Sequence, residues 1–207
     1  MDIYVGPDRV RFRIHQKLLC QDAPVFDRMF NGAFEEAAKK SADLPADEPE
    51  TFDSFLKWLY RATLDKIDKT TVNSKDGSMW NRIKLYCFAD KYCIDVLADS
   101  TMDTIIDGFT GVSIRADSIC LAYNNTSQGA ALRSYMSTGF AYELLTNNGK
   151  NTEEDLRRLA NISDFSLDVF TIMVNRGTKT PTNPDRLSKC EYHRHGKDKP
   201  CTSAEQR

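Results

Sequence analysis

Two of the chain's three histidines and two of its six cysteines fall in one short stretch, Cys190-Glu191-Tyr192-His193-Arg194-His195-Gly196-Lys197-Asp198-Lys199-Pro200-Cys201. Thiolate and imidazole are the donors zinc takes, four of them in a tetrahedron. Cys190-x-x-His193 has a suitable spacing. His195, with five residues between it and Cys201, would complete a set of Cys190, His193, His195 and Cys201. The pattern is not a standard finger, and two histidines one residue apart tend to diverge in direction. The competing reading is a basic tail that holds no metal. Zinc here is the one cofactor the residues suggest.

Other reactive side chains lack companions. His15 has no second histidine at i+4 and no cysteine pair beside it. A packed, hydrogen-bonded imidazole is the better reading than a ligand or a general base. Trp80, Tyr86, Phe88 and Tyr92 share a helix and read as core or interface packing. Glu153-Glu154-Asp155 complements a helix N-terminus rather than forming an acid–base pair. Asp90-Lys91 reads as a solvated or interfacial pair. Cys87 and Cys93 have five residues between them, so they make no C-x-x-C redox motif. No G-x-S-x-G elbow, phosphate-binding G-x-x-x-x-G-K-[ST] loop, H-E-x-x-H helix or G-x-G-x-x-G turn occurs. No catalytic or cofactor-binding residue is assigned, and an enzyme is not expected.

The scaffold that must position these residues is ordinary in composition. The chain has 207 residues, 41% hydrophobic and 28% charged. That excludes a disordered chain, a collagen and a small disulfide scaffold. A chain of this size buries roughly 70% of its unfolded surface and needs no staples. No apolar run approaches the ~18 residues of a membrane span. Met1-Asp2-Ile3-Tyr4-Val5-Gly6 carries no secretory signal pattern. The cysteines are therefore expected reduced, in cytosol or nucleus. The sequons Asn124-Asn125-Thr126 and Asn161-Ile162-Ser163 then have no role. Twenty-eight basic against 30 acidic residues give a net charge of −2, which gives nucleic-acid binding no support. The balance is uneven: residues 176–207 carry +4 and the remainder −6.

Periodicity outlines the elements. Ile3–Val5 is a short strand, Gly6-Pro7-Asp8 a turn, and Val10-Arg11-Phe12-Arg13-Ile14 alternates as a strand with one buried face. Leu18, Leu19, Val25, Phe26, Met29 and Phe30 recur at helical spacing, with Pro24 in a first turn and Asn31-Gly32 as the stop. Ser41–Leu44, closed by Pro45, reads as an edge strand. Asp47 and Pro49 open a helix with Phe52, Phe55, Leu56 and Leu59 on its stripe. Residues 65–77 read as loop, Ser78 as the cap of the next helix, and Asp95-Val96 as the start of another. Partial helical periods follow near 102–109, 115–124, 129–146, 152–161 and 166–176. Thr152 to Asp155 spells a capping box, and Gly177 a C-cap. Beyond it, Thr180-Pro181-Thr182-Asn183-Pro184 carries no hydrophobic repeat, and 178–207 is expected to be largely unfolded.

These blocks resemble a known family. Val10-Arg11-Phe12-Arg13-Ile14-His15-Gln16-Lys17-Leu18-Leu19-Cys20 resembles the F-x-x-H-K-x-L-L signature of the BTB/POZ domain. Phe26-Asp27-Arg28-Met29-Phe30, Phe34-Glu35-Glu36, Leu44-Pro45, Phe52 to Tyr60, and Leu85 to Tyr92, which contains Ala89-Asp90-Lys91-Tyr92, follow in register. Ala122 to Thr126, with Leu132-Arg133 downstream, is similar to the extensions of fungal BTB proteins.

The resemblance implies an α+β fold, a small mixed sheet flanked by helices. The expected layout is a BTB/POZ domain over 1–100, an all-helical extension over 101–177 and a flexible basic tail over 178–207. It also implies a protein–protein interaction module whose relatives self-associate, recruit cullin scaffolds as ubiquitin-ligase adaptors, or regulate transcription. Phe34 and Glu36 match the hydrophobic-x-Glu pattern of cullin-binding members; the plainer reading is a loop Phe folded against the core beside solvated acids. His15 is kept in the family for structure. Members that swap strands carry an extra helix and strand before the first core strand; here the sequence starts almost on that strand, so that dimer mode is not expected. Three functions compete: a cullin adaptor, a homotypic or heterotypic association module in transcriptional regulation without a ligase role, and a nucleic-acid-associated regulator working through the +4 tail, whose binding would fall steeply with salt.

Overall fold

A computed structural model of the chain describes residues 1–72, 74, 77–146, 151–177, 179, 182–194 and 201. Three strands, β1 (Asp2–Val5), β2 (Val10–Arg13) and β3 (Ser41–Leu44), form a sheet in the order β2-β1-β3. β1 runs antiparallel to β2 and parallel to β3, with Ile3 opposite both Phe12 and Ala42. Ile3 and Val5 on β1 are fully buried. β3 is an edge strand, as its following proline predicts. The buried face expected of Val10, Phe12 and Ile14 is only partly present. Ile14 is buried and Phe12 packs on Phe52 at 5.0 Å, but Val10 is exposed. β2 lies at the other edge.

The helices are α1 (Gln16–Asp22), α2 (Pro24–Asn31), α3 (Glu35–Lys39), α4 (Pro49–Arg61), α5 (Ser78–Lys91), α6 (Asp95–Phe109), α7 (Ala116–Asn125), α8 (Ala131–Thr146), α9 (Glu153–Ala160) and α10 (Ser163–Arg176). The single apolar period over 18–30 is split in two at Ala23, whose φ of −127° and ψ of 90° are extended. Proline forces this on the residue before it by steric clash. Ser78 is not a cap: Gly77 holds that position, and the Ser78 hydroxyl accepts from the Asp68 amide at 2.9 Å. The capping box at Thr152 and the turn at Gly177, with φ of 59°, are both present.

An aromatic cluster fixes α2, α4 and α5 together. Tyr92 stacks on Phe26 at 4.8 Å, Phe88 packs on Tyr92 at 4.6 Å, and Phe55 meets Phe88 at 5.1 Å. α5 is buried around most of its circumference, so even Arg82 and Asp90 lie inside. Asp90 is thus no solvated partner of Lys91; the lysine pairs with Asp47 at 2.8 Å instead. α6 crosses α5 closely at Gly108, where an added Cβ would sit 2.4 Å from Met79 Cε. It continues unbroken across residue 100 to Phe109.

Within the segment past Gly177, expected to be largely unfolded, the described residues include two ordered turns. Pro184–Arg186 and Lys189–Tyr192 form 3-10 turns. Pro184 and Tyr192 are buried, and Tyr192 meets Tyr135 of α8 edge-on at 5.4 Å. Isolated anchors of this kind leave no period in a sequence. Among the described residues no helix is long and apolar enough to cross a membrane.

Candidate functional site

The first candidate surface follows α2. That helix ends where the Gly32 amide donates to Arg28 O at 3.0 Å. A Cβ at Gly32 would lie 2.3 Å from the same carbonyl, so the turn needs glycine. Gln16 donates to Asn31 at 2.8 Å and Asn31 to Asp27 at 2.7 Å, which fastens the end of α2 to α1. Phe34 stands at the head of α3 in extended backbone, and 60% of it is exposed. It is therefore not folded against the core. Glu35 is engaged with Lys39 at 2.6 Å, a contact that holds its carboxyl below the usual range. Glu36, one residue on, is half-buried. The pair is an apolar side chain offered to solvent next to a carboxylate, on a base held by short-range hydrogen bonds.

The second surface was not visible as a surface in the sequence. On α10, Phe165 and Val169 are buried, whereas Leu167, Phe170 and Val174 are 63%, 64% and 77% exposed. These three share a helix face at i, i+3 and i+7. The one sequence signal was the density of apolar residues over 165–174, more than a single core-facing stripe needs.

The third candidate is the cysteine–histidine cluster. Cys190, His193 and Cys201 each turn a donor atom toward one point, with all three within 4.8 Å of one another. His193 Nδ1 lies 3.1 Å from Cys201 Sγ, and its Nε2 lies 2.8 Å from Asp103 on α6. The imidazole is fully shielded from solvent. The Asp103 hydrogen bond, opposed by burial, raises His193 to about 9. His195, the remaining residue of the spacing-based set, lies outside the described residues. Next in the chain, Arg194 pairs with buried Asp90 and donates its amide to Asp99 at 2.8 Å. Asp90 also accepts from the Ser127 amide at 2.7 Å.

His15 is exposed, with Nδ1 2.8 Å from the Tyr60 hydroxyl. The aromatic residues Tyr86, Phe88 and Tyr92 are core. Cys87 is buried, and burial pushes its thiol up to about 12, so it is no nucleophile at neutral pH.

The sheet of three strands with its helical shell agrees with a comparison against known families: the BTB/POZ domain model matches residues 1–107, more than half of the chain. The chain belongs to the BTB/POZ family, whose domain is a protein–protein interaction module.

Proposed function

We propose that this chain is a non-enzymatic adaptor that couples a client protein to a cullin ubiquitin-ligase scaffold. The observation that carries this reading is the exposure of Phe34 on a rigid base, with Glu36 beside it. An apolar side chain entering a pocket supplies binding energy, and an adjacent carboxylate fixes orientation against amide or basic donors. The helices after residue 107 extend the platform in the manner of fungal BTB proteins, and the chain's cysteine usage fits a reducing compartment. The test is capture by an isolated cullin N-terminal domain. Wild-type chain is expected to be retained, and Phe34→Ala with Glu36→Ala is expected to abolish retention with the melting temperature nearly unchanged. Equal retention of the double variant overturns the assignment.

A second reading has its own observation. The exposed stripe on α10 suits association with a second copy of the chain, in transcriptional regulation without a ligase role. Two such helices packed antiparallel about Phe170 would set Leu167 against Val174. A twofold contact needs such self-complementarity. Light scattering on a sizing column separates a dimer from a monomer.

A further inference from the structure

We propose that Cys190, His193 and Cys201 form a structural zinc site that clasps the C-terminal segment onto α6, independently of which partner the domain docks. Two sulfurs and one imidazole nitrogen are the donor set that selects zinc. At Zn–S bonds of ~2.3 Å, two sulfurs of a tetrahedral centre sit about 3.7 Å apart. The donor atoms here already lie within 4.8 Å of one another, so small side-chain shifts close the site. The fold brings together three of the four residues that the spacing singled out, and the fourth, His195, lies outside the described residues.

Asp103 is the second observation. Its carboxylate accepts from His193 Nε2 at 2.8 Å, which leaves Nδ1 to face the sulfurs. Histidine ligands of zinc are held in this way by a carboxylate that fixes tautomer and ring orientation. Asp103 belongs to α6, 90 residues away in sequence, so the hydrogen bond ties the metal-binding turn to the folded body. Flanking contacts point the same way: Lys189 pairs with Asp107 at 2.7 Å, and Tyr192 is buried against α8.

On binding, both thiols lose their protons to solvent, and His193 binds through a deprotonated Nδ1 while its Nε2 keeps the proton it donates to Asp103. The remaining tetrahedral position falls to water or a further donor. Two other uses of the cluster fit less well. A Cys201–His193–Asp103 nucleophile would need open space at Cys201, but Cys190 closes on the same point. A disulfide between the cysteines would leave the oriented imidazole without a purpose.

The experiment uses full-length chain purified under reducing conditions. Elemental analysis is expected to give one zinc per chain. 1,10-Phenanthroline is expected to lower the melting temperature, and added zinc to restore it. Cobalt substitution is expected to give the intense thiolate charge-transfer and tetrahedral d–d bands, which structural loss alone cannot mimic. Cys190→Ser and Cys201→Ser should each lower zinc below a tenth per chain and make the melting temperature indifferent to chelator. Asp103→Asn should weaken zinc affinity about 10- to 100-fold while leaving the site saturable. Fewer than a tenth of a zinc per wild-type chain after incubation with equimolar zinc overturns the proposal. So does a Cys190–Cys201 disulfide in the native protein. Neither result touches cullin capture through Phe34.

Discussion

The guanidinium of Arg133 lies 4.9 Å over the ring of Tyr123 and donates to that residue's own carbonyl at 2.7 Å. It also donates to the Thr126 carbonyl and hydroxyl and pairs with Asp164 at 3.0 Å. One buried side chain thereby satisfies the end of α7 and holds the start of α10. Tyr123 completes the link by donating to Asp168 of α10 at 2.6 Å. The block Ala122 to Thr126 with Arg133 is thus a joint between helices, and it sets how α10 presents its outer face.

Arg133→Ala is expected to destabilise the chain by about 3 kcal/mol. The substitution strands buried carbonyls and removes a buried cation from its partners. Arg133→Lys should recover only part of this, because an ammonium cannot fork between the Tyr123 and Thr126 carbonyls. Urea unfolding followed by circular dichroism measures both. A loss below 0.5 kcal/mol for the alanine variant would refute the joint.

The cap of α9 makes stability depend on acid. Thr152 accepts from the Asp155 amide at 3.2 Å, and Asp155 accepts from the Thr152 amide at 3.0 Å. These bonds hold the Asp155 carboxyl below its usual range. A carboxyl so depressed contributes stability above its unfolded value of ~3.9, and that contribution fades as pH falls through the lower folded value. Thr152→Ala should cost about 1 kcal/mol at pH 7. Asp155→Asn should flatten the part of the pH–stability curve below pH about 4. An unchanged curve would remove Asp155 as its source.

Periodicity made most of this architecture legible. The short strands, the edge position of Ser41–Leu44, the helix opened by Pro49 and the cap at Thr152 all follow from local rules that the fold does not override. The misses share a different cause. Whether Val10 is covered depends on how far the helices extend over β2, and whether Asp90 is buried depends on what packs on α5 from elsewhere in the chain. Tyr192 and Pro184 are single anchors without a repeat. In the cysteine–histidine cluster, spacing pointed to Cys190, His193, His195 and Cys201. It could not reveal Asp103, which has no local pattern and arrives only through the packing of α6. Phe34 was legible by resemblance alone; its exposure needed the structure.

Asp47 couples α4's entry to the end of α5. It accepts from the Tyr92 hydroxyl at 2.6 Å and from Lys91 at 2.8 Å. Burial, reinforced by this carboxylate, pushes the Tyr92 phenol up, so it stays a donor. Asp47→Ala leaves that hydroxyl without its acceptor and should cost about 2 kcal/mol. Tyr92→Phe removes the donor while Lys91 still serves Asp47, and should cost about 1 kcal/mol. A double-mutant cycle by chemical denaturation is expected to give a coupling of about 1 kcal/mol. Strict additivity would show that the bond is energetically idle.

The exposed face of α10 yields the sharpest separation between folding and association. Leu167, Phe170 and Val174 contribute little to the core, because Phe165 and Val169 fill the inward face. Phe170→Asp should therefore change the unfolding free energy by no more than about 0.5 kcal/mol, as for other surface sites. If a second copy covers this face, the same substitution places two carboxylates against each other at the twofold axis and should abolish the dimer. Val174→Asp, on the same exposed face, should likewise weaken the dimer. Light scattering across a concentration series reads both. A wild-type chain that stays monomeric throughout, or a dimer indifferent to Phe170→Asp, would exclude α10 as the contact.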